Sequence, residues 1–112
     1  MPKNIVISTF ATSRYAFALP NVGRRIVSCI HHAKIKKGTF LFVGDASDKI
    51  KIESERYIKN ILPHGWTFEL LQLDIDNDDL ANYELDAQLL IAQLQGSAFT
   101  RARQLDADYF WS

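Results

Sequence analysis

Phe40-Leu41-Phe42-Val43-Gly44-Asp45-Ala46-Ser47-Asp48 is the stretch on which the fold of this chain turns. Its opening run of apolar residues has no solvent-facing alternation. That predicts a strand covered on both faces, the condition of a parallel sheet flanked by helices. The run then stops at a glycine and an aspartate, and Ser47 or Asp48 is the right kind of residue to cap a helix. A buried strand that turns into a helix through a short polar loop is the repeating unit of an α/β fold.

Outward from this stretch the same grammar recurs. Ile5-Val6-Ile7-Ser8-Thr9 predicts an earlier strand, and Phe68 to Leu73 and Tyr109-Phe110-Trp111 predict two later ones. Val22, Ile26, Val27 and Ile30 fall at helical spacing, with Asn21 the expected cap and Gly38 the expected stop. Ile50, Tyr57, Ile58 and Ile61 mark a second helix, closed by Pro63-His64-Gly65. A third is expected after Asn77-Asp78-Asp79, with Tyr83, Ala87, Leu90, Ile91 and Leu94 on one side. Gly96-Ser97 either breaks it or lets it pack closely before a last turn through Ala98, Ala102 and Leu105. The expected fold is therefore α/β: an open, mostly parallel Rossmann-like sheet, β-α-β-α-β-α-β, with right-handed crossovers and residues 1–112 forming one domain. Ligands of such sheets bind beyond the carboxyl ends of the strands, which draws attention to Ser8, Thr9, Gly44, Asp45, Asp74 and Asp76.

Composition fits a globular domain: 112 residues, 47% apolar and 23% charged. No apolar run is long enough to span a bilayer. Met1-Pro2-Lys3-Asn4 leads at once into a short strand-like run rather than a signal peptide. The single cysteine, Cys29, excludes an internal disulfide framework and suits a reducing, cytoplasmic setting. Between Ile26 and Ile30 it is expected to be buried and inert. Formal net charge is zero, yet residues 1–60 carry 11 Lys or Arg against 4 Asp or Glu, and residues 61–112 carry 2 against 9. The basic residues (Lys34, Lys36, Lys37, Lys49, Lys51, Lys59) lie at helix ends and outer faces without interleaved aromatics. Solvated faces account for them, and no nucleic-acid partner is expected.

Asp45, at a strand's carboxyl end, is placed to accept a hydrogen bond from a base N–H or a ribose hydroxyl, and would repel a phosphate. Ser47 or Asp48 has helix capping as its simpler role. Thr9-Phe10-Ala11-Thr12-Ser13-Arg14-Tyr15 lacks the glycines of a dinucleotide fingerprint and the lysine of a P-loop. Ser8 or Thr9 can still offer a hydroxyl to a nucleotide with Tyr15 stacking nearby, or satisfy their own loop. Asp74-Ile75-Asp76-Asn77-Asp78-Asp79 alternates partly like a calcium loop but lacks its central glycine and distal glutamate, so an acidic turn before a helix is the expectation. Arg101 and Arg103 are candidates either for diphosphate oxygens or for salt bridges to Asp106 or Asp108. His31 and His32, being adjacent, face different ways and cannot chelate together. Trp66 and Trp111 read as core or rim. No residue is assigned to catalysis and none to a metal.

Over essentially its whole length the chain resembles the nucleotide-binding, N-terminal half of a GT-A-type glycosyltransferase. The resemblance rests on Asn4-Ile5-Val6-Ile7-Ser8-Thr9-Phe10, on Val43-Gly44-Asp45-Ala46-Ser47-Asp48, and on Ala102-Arg103-Gln104-Leu105-Asp106-Ala107-Asp108-Tyr109-Phe110-Trp111. Gln104 stands where asparagine is common, and Gly44 where an acidic or polar residue is frequent. The resemblance implies a nucleoside-diphosphate-sugar donor, with Asp45 at the base or ribose and Arg103 near the diphosphate. It also implies a manganese or magnesium ion held by an Asp-x-Asp expected beyond Ser112, together with the acceptor site. On that expectation the chain is a fragment lacking its C-terminal half or a partner subunit, inactive alone. The alternative is a self-contained Rossmann-like module that binds a nucleotide or a partner without catalysis.

Overall fold

The structure, a computed structural model, describes residues 4–74 and 84–112, with residues 84–90 described by backbone alone. Strand β1 spans Ile5–Ala11, β2 Gly38–Asp45, β3 Trp66–Leu73 and β4 Tyr109–Trp111. Helix α1 spans Leu19–His32, α2 Asp48–Tyr57 and α3 Glu84–Gln104. The sheet order is β3-β2-β1-β4, and all three pairings are parallel. The chain therefore winds outward from β1 through β2 to β3, then returns over α3 to the other side of β1. The β1/β4 boundary is where strand order reverses, the switch point of an open α/β sheet.

The uninterrupted apolar run of β2 has two faces to cover. Phe40 and Phe42 pack with Ile7, Leu19, Ile30, Ile50 and Ile58, beneath α1 and α2. Leu41 and Val43 pack on the opposite face with Val6, Leu94, Ala98 and Ala102 of α3. Each fully buried aliphatic or aromatic side chain stabilises the fold by roughly 1.5–3 kcal/mol relative to exposure. Both cores pass through β2, and neither survives if it becomes polar.

Several local expectations are corrected. Asn21 does not cap the first helix: a 3-10 turn, Ser13–Ala18, precedes α1, and Asn21 lies within the first helical turn, where its Oδ1 accepts from Arg24 Nη2 at 2.6 Å. Nor does Gly38 end that helix, because Lys34 does so in the left-handed region at φ 58°, while Gly38 opens β2. Helix α2 stops at Tyr57, well short of Pro63, and a 3-10 turn, Lys59–Ile61, fills the gap. Gly96 neither breaks α3 nor marks a close approach, since a Cβ there would meet nothing within 4 Å. Cys29 is exposed rather than buried. Gly44 lies in regular β2 pairing, and a Cβ on it would come within 2.6 Å of Ile50 Cγ2. Asn77, Asp78, Asp79 and Tyr83, assigned to the start of the third helix, lie outside the described residues, as do the side chains of Ala87 and Leu90. Among the described residues no helix is long and apolar enough to cross a membrane.

Candidate functional site

At the carboxyl edge of the sheet one side chain ties two loops together. Asp45, at the last position of β2, is only 2% exposed. Its Oδ2 accepts from the Ser13 N–H at 2.7 Å, and its Oδ1 accepts from the Ser47 N–H at 3.2 Å and the Ser47 hydroxyl at 2.5 Å. Ser47 in turn caps α2, its Oγ accepting from the Ile50 N–H at 3.2 Å. From β3, Gln72 Nε2 donates to the carbonyls of Asp45 and Ser47, each at 3.1 Å. Hydrogen bonds to an ionised carboxylate are roughly twice as strong as neutral ones, so this node fixes the β1–α1 loop against the β2–α2 loop.

The loop so fixed forms one wall of a cavity of about 350 Å³ off the end of β1, facing α3 across the switch point. Phe10, Thr12, Tyr15, Leu19, Ile91 and Leu94 are among its lining residues, and among the described residues no charged side chain lines it. Ladder pairing of β1 with β4 ends at Ile7–Trp111, so residues 8–11 have no partner strand on that side among the described residues. That gap in pairing leaves room for the cavity. Thr12 contributes its polar element: it is 5% exposed, it occupies the cap position of the 3-10 turn, and its side chain makes no capping bond there. A threonine at such a position ordinarily spends its hydroxyl on the backbone. Here that capping bond is not made.

The residues singled out from sequence are brought together only in part. Tyr15 stands at the cavity rim, more than half exposed, with the Arg14 guanidinium carbon 6.0 Å from its ring centroid. Ser8 is buried on the face of β1 shared with Val6 and Phe10, and its Oγ has no hydrogen-bond partner. Thr9 is half-buried on the opposite face, paired in the sheet with Phe42. Asp45 adjoins them, but its carboxylate is engaged with Ser13 and Ser47. Arg103 is not brought to this edge. It lies in the last turn of α3, which runs back toward the start of β1, and its guanidinium carbon sits 6.0 Å from the Phe99 ring centroid. Arg101 bonds Glu69 Oε1 through Nε and Nη2, both at 2.7 Å, rather than Asp106 or Asp108.

Thr12 was not singled out as a ligand contact from sequence. The available signal was a threonine directly before a short helical turn, which by itself reads as a cap. Trp66 is half-buried, with its indole N–H donating to the Ile35 carbonyl at 3.2 Å, and Trp111 is exposed. Among the described residues no group of three His, Cys, Asp or Glu is placed to hold a metal ion. Asp74 is exposed just after β3, and Asp76, Asp78 and Asp79 lie outside the described residues.

No protein-family model matches the sequence, and no curated protein and no solved structure matches it. What fold and site define is a class: a small α/β domain with an open parallel sheet of the generic Rossmann-like kind, carrying a cavity at its switch point.

Proposed function

We propose that this domain binds the nucleoside part of a nucleoside-diphosphate sugar, as the donor-binding half of a GT-A-type glycosyltransferase. The observation that carries the reading is the cavity at the β1/β4 switch point, where open α/β sheets take their ligands. Its volume lies within the range of small-molecule sites. Its lining among the described residues is uncharged, which suits a base and ribose, and in this reading the diphosphate lies outside the cavity. In this reading the Thr12 hydroxyl bonds the base or sugar, Tyr15 stacks at the rim, and Asp45 holds the Ser13 end of the loop so that both stay in place. Ser8 and Thr9 shape the floor from the end of β1. When bound in a whole enzyme of this kind, a divalent cation neutralises the donor's diphosphate. The described residues form no site for it, and no transfer step is assigned to them.

A second reading is favoured by the apolar character of Phe10, Leu19, Ile91 and Leu94 in the lining: a non-catalytic module that takes an uncharged, largely apolar ligand. Titrating the protein with uridine, guanosine, their diphosphates and indole, followed by amide and tyrosine NMR shifts, separates the two. The first reading expects saturable shifts at Thr12 and Tyr15 with a nucleoside, and a three- to tenfold weakening in Thr12→Val, the loss of about one hydrogen bond. Saturation by indole without any response to nucleosides selects the second. Silence of Thr12 and Tyr15 toward every probe removes the cavity from both.

A further inference from the structure

A second cavity lies at the opposite, amino-terminal edge of the sheet, between the end of α1 and the turn that enters β3. It measures about 480 Å³, and its charged or titratable lining is wholly basic: His31, Lys34, Lys36 and His64. Its remaining lining, Ile30, Ile35 and Pro63, is apolar. We propose that this cavity is a binding site for a phosphorylated small molecule, with the phosphate between Lys34, Lys36 and His64 and the organic part on Ile35 and Pro63.

Lys34 and Lys36 have no other employment among the described residues. Lysines at a helix C-terminus often serve the unpaired carbonyls of the last turn. Here the backbone does so itself: Ala33 N–H donates to Cys29 O at 2.9 Å, Lys34 N–H to His31 O at 3.1 Å, and Ile35 N–H to Ile30 O at 3.3 Å. Among the described residues neither Lys34 nor Lys36 forms an ion pair, and no acidic residue lines the cavity. Like charges collected without a counterion repel one another, and an anion relieves that repulsion.

The walls are also held at fixed separation. The Trp66 indole N–H bonds the Ile35 carbonyl at 3.2 Å, and the Trp66 amide bonds Pro63 O at 3.1 Å. Gly65, at φ 100°, lies so close to the preceding segment that a Cβ on it would stand 2.8 Å from Lys36 O. Residues 34–36 and 63–65 are thus held against one another, so the walls of the site need no ordering when it fills, and only the exposed side chains of Lys34, Lys36 and His64 do. Rigid placement lowers the entropic cost of binding. A bare phosphate leaves the apolar floor unused, whereas an organic phosphate covers both parts.

The test uses the full chain with phenyl phosphate as probe, phenol and inorganic phosphate as its two halves, and NMR shifts of the Trp66 indole N–H and the His64 ring as readout. Phenyl phosphate is expected to saturate these signals and to bind more tightly than either half. Lys34→Asn with Lys36→Gln is expected to weaken it at least about tenfold, by removing two charges close to the phosphate. Asparagine is chosen at position 34 because it tolerates the left-handed backbone there. Lys49→Gln with Lys51→Gln removes the same charge from α2, remote from the cavity, and is expected to leave binding unchanged. Equal weakening by both pairs would mean diffuse attraction of anions and overturn the proposal. So would the absence of saturation by phenyl phosphate, including the case in which only single-stranded RNA moves these signals. Thr12→Val should not alter phenyl phosphate binding, so the two cavities stand or fall separately.

Discussion

Replacing Gly23 by alanine tests the packing of the helical layer that supports the switch-point cavity. α1 and α2 meet where Gly23 lacks a side chain: a Cβ there would stand 2.1 Å from the Tyr57 carbonyl oxygen, 3.1 Å from its carbon and 3.2 Å from Ile61 Cδ1. Ordinary contact begins at 3.4 Å, so the helices must part by 1.3 Å, the difference between 3.4 and 2.1. The obstacle is backbone, which has no rotamer to change, so the strain belongs at the upper end of overpacking costs, about 3 kcal/mol. Against this, alanine gains about 1 kcal/mol over glycine inside a helix. The net expectation is a loss of about 2 kcal/mol, lowering Tm by roughly 8–9 °C in a domain of this size. Urea and thermal unfolding followed by far-UV circular dichroism measure both quantities. The control is Gly96→Ala in α3, where the new methyl meets nothing within 4 Å and only the propensity gain applies. That variant should be more stable by about 0.5–1 kcal/mol. The same substitution in two helices thus carries opposite signs, and a Gly23→Ala protein as stable as its parent would refute the close crossing of α1 and α2.

Other expectations follow from the polar contacts. Asp45→Asn keeps size but puts an amide where two carboxylate oxygens accept from Ser13 and Ser47. A loss of about 2–3 kcal/mol in urea unfolding is expected, against little change for Asp48→Asn, whose carboxylate is exposed. Arg101→Met removes the partner of a partly buried carboxylate whose Oε2 already has none. With both side chains about a third exposed, solvent screening limits the loss to about 1–2 kcal/mol, and a double-mutant cycle with Glu69→Gln should recover most of it.

What the sequence made legible was what depends on neighbours along the chain. The apolar run from Phe40 to Val43 and the cap at Ser47 are set by residues within a few positions of one another, and both stand in the structure. The parallel pairing of the four strands followed from alternation of strand and helix patterns, whereas their order did not. What stayed hidden depends on approach through space. Asp45 was legible as a polar group at a strand end, but its partner Ser13 lies 32 positions away. Gly23 reads in the sequence as a weak spot in a helix, because nothing local announces the Tyr57 carbonyl opposite it. The 3-10 turn before α1 displaced the expected cap because Ser13-Arg14-Tyr15 carries no apolar period of its own, while Pro20 is tolerated in the first turn of the helix it opens. Arg103 was grouped with Asp45 by motif, whereas α3 carries it toward the other end of the sheet.

The central position of β1 also sets an order on how the sheet assembles. Its pairings with β2, and of β2 with β3, each close across a single short crossover. Its pairing with β4 joins residues 104 positions apart, as in the bond from the Asn4 N–H to Asp108 Oδ2 at 2.8 Å, and that ladder holds only three residue pairs. Contacts so distant along the chain repay their closure entropy late, and so few of them repay little. Docking of β4 is therefore expected to come last in folding, and its detachment first in opening. Amide hydrogens of residues 109–111 should exchange through a local fluctuation, while those of β2 wait for the whole domain to unfold.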